Sequence, residues 1–267
     1  MPNKPLTIAL LFFATLALAH EFWLSPSDFF PKVGDKITLS MFVGENYEGE
    51  RWGGGSRRVE VLKIRTDKKW LPLSVIQSDS SIQIPDYQIA EAGTHVFTLA
   101  TNSSFIELEP AKFEEYLKED GLTNALEHRK KNNEEQRNGR ELYRRCAKTI
   151  VQVGLKIDQT ATIRSDLLLD IKPTQNPYSL LKNQSLTCQF RYNDVNMANT
   201  LVRCWRRVDG KTEIEFRTTD KQGFATFLLP KKGTGVYMVS TVTMERLTNN
   251  PQADWQSTWG SLTFARK

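Results

Sequence analysis

The sequence predicts a mainly β protein made of two Ig-like or transthyretin-like β-sandwich domains, with a helical insertion between them or at the end of the first. Three observations predict it. Apolar residues alternate with polar ones in short runs, the period of half-buried strands. Gly, Asp and Ser turn signals separate these runs at the spacing of an all-β sandwich. One stretch, about residues 110–150, changes to helical spacing.

The chain opens with Met1 to Pro5, which carries one Lys, followed by an apolar run from Leu6 to Leu18 that ends in Ala17-Leu18-Ala19. This is the profile of a secretory signal peptide with an A-x-A cleavage site. The expectation is therefore a signal peptide over residues 1–19 and a mature chain that starts at His20, periplasmic or secreted. The apolar run is shorter than the roughly 20 residues of a spanning helix, so no stable membrane insertion of the mature chain is expected.

Two domains are expected, at 20–165 and 166–267. In the first, the turn Lys32-Val33-Gly34-Asp35 leads into Ile37, Leu39, Met41 and Val43, which alternate with polar neighbours as on a strand. Arg57 to Arg65, Trp70 to Ser74 and Thr94 to Ala100 are the next strands. From Pro110 the spacing becomes helical: Phe113, Tyr116 and Leu117, then Leu122, Ala125 and Leu126, then Leu142, Cys146 and Ile150. Gly121 and the polar stretch Lys130 to Gly139 divide this insert into about three helices, the last over about Gln136 to Thr149. With charged residues on their opposite faces, they are expected to lie over the sandwich edge.

The second domain restarts the layout of the first. Lys182-Asn183-Gln184-Ser185 precedes the alternating Leu186, Cys188, Phe190 and Tyr192, and Gly233-Thr234-Gly235-Val236 answers Ala92-Gly93-Thr94-His95. Two correspondences in the same order point to a duplicated topology. Leu201 to Val208, Thr212 to Thr218 and Phe224 to Leu229 read as strands, with Thr219 to Gly223 as a hairpin turn, and Gln256 to Phe264 closes the domain. Cys188 and Cys204 fall on successive strands, where they either bridge or pack as separate small apolar residues; Cys146 sits in the helical stretch.

The net charge of +5 becomes +4 without residues 1–19, which hold one Lys and no acid. Basic residues are scattered apart from Arg203 with Arg206-Arg207 and the group around Arg129 to Lys131. No nucleic-acid motif accompanies them, so no nucleic-acid partner is expected. There is no G-x-S-x-G, H-E-x-x-H or C-x-x-C, and Gly53-Gly54-Gly55 lacks a following Lys-Ser/Thr and reads as a turn. No conventional enzyme is expected.

Several segments carry a family resemblance: His20-Glu21-Phe22-Trp23-Leu24-Ser25-Pro26, Val43-Gly44-Glu45-Asn46-Tyr47, Ile106 to Pro110 ahead of Tyr116 to Leu122, Tyr143 to Lys148, and Asp254 to Trp259 with Ser261 to Phe264. Spanning nearly the whole mature chain, they resemble the bacterial domain-of-unknown-function family 4198. The resemblance implies a periplasmic protein, since relatives include components associated with nickel and cobalt uptake. It thereby implies a transition-metal role with an inner-membrane transporter as partner.

Independently of that, cleavage before His20 would leave an α-amine and an imidazole Nδ1 able to close one chelate ring on nickel, cobalt or copper, ions that favour nitrogen donors. Further ligands would come from His95, His128, Glu21, Glu107 and Glu109. The expected metal site is His20, His95 and Glu107, with His95 placed near the N-terminal strand. Each has an ordinary alternative: His20 as a residue merely permitted after a signal peptide, His95 as a satisfied core or edge histidine, His128 as a surface residue, Glu107 and Glu109 as solvent-facing carboxylates.

Three functional classes follow. The first is a metal-binding accessory protein that delivers nickel or cobalt to an uptake transporter. The second is a structural or adaptor module that binds another envelope protein through sandwich edges. The third is a copper-dependent redox enzyme. The six tryptophans could include a platform for sugars or peptides, although Trp255 and Trp259 are expected to pack at the domain junction.

Overall fold

The computed structural model describes residues 21–75, 84–181, 184–229 and 235–267. The described chain runs through β1 (Glu21–Pro26), β2 (Lys36–Ile37), β3 (Leu39–Glu45), β4 (Glu48–Arg51), β5 (Val59–Arg65), β6 (Trp70–Pro72), β7 (Tyr87–Gln88), β8 (Gly93–Thr101) and β9 (Ser104–Leu108). Two helices follow, α1 (Pro110–Glu119) and α2 (Thr123–Lys131). Then come β10 (Gly139–Val153), β11 (Leu169–Pro173), β12 (Ser185–Tyr192), β13 (Val195–Asn196), β14 (Leu201–Val208), β15 (Lys211–Thr218), β16 (Phe224–Leu228), β17 (Gly235–Arg246) and β18 (Trp255–Arg266).

The protein is mainly β, as its alternating pattern predicts. A nine-stranded sheet in the order β15-β14-β17-β18-β10-β8-β5-β6, with β9 also on β10, forms the middle layer. The boundary expected at residues 165/166 falls between β10 and β11, and the parallel pairing of β10 with β18 crosses it, from Glu141 opposite Trp255 to Thr149 opposite Thr263. One face of this sheet carries Cys146, Ile150, Val202, Cys204, Val239, Leu262 and Phe264 against a four-stranded sheet (β11, β12, β13 and β16) that supplies Leu169, Ile171, Leu186, Cys188, Phe190 and Phe227. The other face carries Phe97, Leu99, Ala147 and Val151 against Phe22, Leu24, Leu39 and Met41 of the three-stranded sheet β1-β3-β4. Both helices cover the remainder of that second face, over Val242, Met244, Trp255 and Trp259. The two tryptophans thus pack beneath the helices, against residues of the first expected domain, which is the junction at which they were expected.

Two expectations are corrected. The third helix, expected over about Gln136 to Thr149, is the long strand β10. Its marker residues Leu142, Cys146 and Ile150 are spaced by four, which fits both a helical repeat and the even period of a strand. From Cys146 onward the strand is buried on both faces, and a strand covered twice loses the alternation that would identify it. Likewise, Thr219 to Gly223 is not a hairpin turn. It carries the chain from β15, which pairs with β14, across to β16, which pairs with β12 in the other sheet. Gly223 takes φ +78° there, with its Cα packed so close to the Phe190 carbonyl that a Cβ would lie 2.7 Å from it.

All three cysteines are free and buried. Cys188 and Cys204 face one core from opposite sheets, and burial pushes the Cys188 thiol up to about 12. In the same core Lys148, 1% exposed, forms an ion pair with Asp170, 2% exposed. Lys148 also donates to the Ile171 carbonyl at 3.0 Å, and Ser165 donates its hydroxyl to Asp170 at 2.5 Å. Paired and bonded in this way, both charges are tolerated without water.

Candidate functional site

On the second face of the large sheet, a layer of buried polar groups separates the helices from the N-terminal sheet. Strand periodicity builds it: Arg203 and Trp205 of β14, Ser240 of β17, Ser257 and Ser261 of β18 and Glu141 of β10 project to the same side. Trp205 donates its indole N–H to the Ser240 hydroxyl at 2.9 Å, and Ser240 donates to Oε1 of Glu21 at 3.0 Å. The Arg203 guanidinium lies between two carboxyl groups, donating to Asp120 at 2.8 Å and standing 3.9 Å from Glu21. It also donates to the Glu119 carbonyl at 2.7 Å, which ties the end of α1 to the sheet. Beside it, Tyr116 of α1 donates to Glu141 at 3.3 Å, and Ser257 donates to the same carboxyl oxygen. Trp259 stacks on Tyr116 with ring centroids 6.0 Å apart.

The electrostatics follow from this burial. Loss of hydration raises the Glu21 carboxyl to about 7, against the opposing pull of Arg203. Asp120 is raised to about 6 by burial, again against Arg203. Glu141 is raised to about 7 by burial, against the hydrogen bonds from Ser257 and Tyr116. Glu21 and Asp120 thus share one guanidinium, and Glu141 has only hydroxyl donors. Removing a carboxylate from water without a full counter-charge favours its protonated form. The layer can therefore hold protons near neutral pH, and it lacks a second positive charge among the described residues.

Of the residues expected to hold a metal, His20 lies outside the described residues. His95 is in β8, 1% exposed, where Nε2 stands 3.1 Å from the Glu91 carbonyl and Nδ1 is buried without a hydrogen-bond partner. Burial lowers its pKa, so the ring is a neutral imidazole with one unused lone pair. The nearby acids are engaged: Asp67 with Lys156 at 2.5 Å, Glu91 with Lys68 at 2.5 Å, and Asp158 with the Thr94 N–H at 3.0 Å. Glu107 is exposed on β9 and accepts from Asn138 at 2.8 Å. Glu109 precedes α1 at its N-cap position, and His128 meets the Trp255 ring edge-on at 5.4 Å.

These residues are not brought together. His95 lies opposite Val151 of β10 and Glu107 opposite Arg140 of the same strand, which places about 36 Å of strand between them at roughly 3.3 Å per residue. Glu21 meets β17 at Ser240, which aligns through Ser261 and Ala147 with Leu99 of β8. Three strand spacings and four residues therefore separate the Glu21 carboxyl from His95, about 19 Å in all. His95 is thus distant from the N-terminal strand's first residues, contrary to the expectation. Among the described residues no group of three His, Cys, Asp or Glu side chains could hold a metal ion.

Residues 17–245 match the family described as Domain of unknown function (DUF4198). The chain belongs to the DUF4198 family. No curated protein matches it. For this DUF4198 member the polar layer is the site that sequence reading missed, apart from Glu21, which was named as a possible ligand. Its one local signal was Arg203 between Val202 and Cys204 and two residues before Trp205, a charged residue in the apolar half of its strand. Asp120, Glu141 and Tyr116 gave none, because their elements meet only in the folded chain.

Proposed function

We propose that the protein is a non-enzymatic, periplasmic metal-binding accessory protein whose working end is the start of β1, with nickel, cobalt or copper as cargo and an uptake transporter as its partner. The observation that supports this reading is the deficit of positive charge at Glu21. The residue that follows His20 has its carboxyl in a layer of three carboxyl groups with one guanidinium. A cation chelated by the His20 amine and imidazole would add positive charge one residue away. Since His95 and Glu107 lie far from Glu21 and from each other, they are not ligands in this reading; His20 and further donors outside the described residues or on the transporter would complete the coordination. Among the described residues no helix is long and apolar enough to cross a membrane, which agrees with an exported chain released from its signal peptide.

The test is native mass spectrometry of protein processed in the periplasm, with one equivalent of nickel, cobalt or copper, beside a variant carrying one extra residue before His20. Stoichiometric binding that the extension abolishes is the expected result. Equal binding by both forms, or none by either, would remove the His20 site. A second reading, an adaptor for another envelope protein, is favoured by an open groove of about 470 Å³ lined by Trp23, Phe42, Tyr47 and Val236, with Arg207 and Glu48 paired at its rim. Absent metal binding together with a persistent complex in pull-downs would support that reading instead.

A further inference from the structure

A second cluster lies on the same face of the large sheet, apart from the polar layer. Arg145 of β10 points its guanidinium among three aromatic rings, 5.1 Å from the Phe22 centroid, 5.7 Å from Trp52 and 5.0 Å from Tyr143. Its Nε is buried and has no hydrogen-bond partner, and among the described residues the charged or titratable groups that act on it are Tyr143 and Arg58, with no carboxylate. Arg58 approaches the same Trp52 ring at 5.7 Å, and its Nε donates to the Asn102 side chain at 2.9 Å. Asn102 in turn donates to the Arg57 carbonyl at 3.1 Å and, through its backbone N–H, to the Arg58 carbonyl at 2.9 Å. Arg58 is therefore held in place through its Nε.

Two guanidinium groups that share one indole ring repel each other, and burial together with Arg58 lowers the Arg145 pKa to about 10. Stacking on aromatic faces returns part of that cost, since cation–π contacts strengthen as water is removed. It leaves the in-plane N–H donors unsatisfied, because a ring face offers no lone pair in that direction. The Gly53-Gly54-Gly55 turn closes the cluster. A Cβ on Gly54 would lie 2.4 Å from the Trp52 ring, so the backbone lies directly on the indole. Trp52, Gly54, Arg58, Tyr143 and Arg145 are all only half-buried, which leaves the cluster open to a small solute.

We propose that Arg145 and Arg58, walled by Phe22, Trp52 and Tyr143, form a binding site for an oxyanion, either a carboxylate or a phosphoryl group. A planar guanidinium donates two parallel hydrogen bonds to either one, and an anion relieves the repulsion between the two cations. The site does not depend on the metal reading, since none of its residues is a metal donor in that reading.

The test is calorimetric titration of the full mature chain with inorganic phosphate and, separately, with malonate, repeated on Arg145→Gln and Arg58→Gln. Intrinsic tryptophan fluorescence, to which Trp52 contributes, is followed in parallel, and circular dichroism confirms the fold of each variant. Saturable binding of at least one anion, weakened about tenfold or more by either substitution, is the expected result, as loss of a charge-assisted bidentate contact requires. Binding of phosphate alone assigns a phosphoryl ligand, and binding of malonate assigns a carboxylate. Arg58→Gln, at a half-exposed position, keeps the test decisive should Arg145→Gln fold poorly. Absence of saturable binding by both anions, or binding that neither substitution weakens, overturns the proposal.

Discussion

At the scale of single residues, the buried acids give the protein a defined pH response. Glu21 and Glu141 are raised to about 7 and Asp120 to about 6 by burial, whereas in the unfolded chain each titrates near 4. The folded state therefore binds more protons than the unfolded state between about pH 4 and 7, and stability must fall as pH rises through that window. The contribution of these groups is fully present below the unfolded values and is lost once pH passes the folded ones. Glu141→Gln keeps an amide oxygen that can accept from Tyr116 and Ser257 and removes one of the titrations. Thermal melts between pH 5 and 8 should show the wild type losing stability towards pH 8 and this variant losing less. Identical slopes would mean that Glu141 is ionised in both states. None of this was legible in the sequence, where Glu141 stands beside Leu142 as one more polar residue of an amphipathic stretch. Burial of a carboxyl is decided by what covers it, and Tyr116 and Ser257 reach it from 25 and 116 residues away.

Among the elements, the strands were readable wherever one face is wet. Lys211–Thr218 was placed to within a residue because its outer positions keep the polar side of the alternation, and Leu201–Val208 was placed although Val202 to Trp205 are buried on both faces. β10 was misread because Leu142, Cys146 and Ile150 recur every four positions, which suits a helix as well as a strand; burial on both faces did not by itself hide β8 or β18. Helices α1 and α2 were recognised from Phe113, Tyr116 and Leu117 and from Leu122, Ala125 and Leu126, which now pack on Val242, Met244, Trp255 and Trp259. Their anchoring explains Gly139 at the start of β10. A Cβ there would lie 2.1 Å from Cγ of Phe113, a ring that is fully buried and has no room to withdraw. Gly139→Ala should therefore lift α1 from the sheet and cost about 1 to 3 kcal/mol, the usual range for an overpacked core. Chemical denaturation would measure the loss, and hydrogen exchange should show faster amides over residues 110–131 than elsewhere. Unchanged exchange in that segment would show that the ring and the helix adjust without cost.

For the whole molecule, the middle sheet is common property. The parallel ladder between β10 and β18 joins a strand from each half of the chain, so neither half closes its core alone. Calorimetry should accordingly give one unfolding transition whose calorimetric and van't Hoff enthalpies agree; two resolved transitions would show that the halves melt as separate domains. The sequence carried the two-layer character of each half but not this sharing, since periodicity reports which residues face inward and is silent about which strands become neighbours. The central ladder also governs the order of events in folding. The Gln256 side chain bonds to the Leu142 carbonyl across 114 positions of sequence, and closing loops of that length before any native reward makes folding slow. Synthesis delivers β18 about a hundred residues after β10, so a nascent chain holds β10 with one edge open until β18 has been released. A chain of this design must be kept from pairing with its neighbours throughout that interval, and it becomes safe from aggregation only when its own β18 has filled the gap.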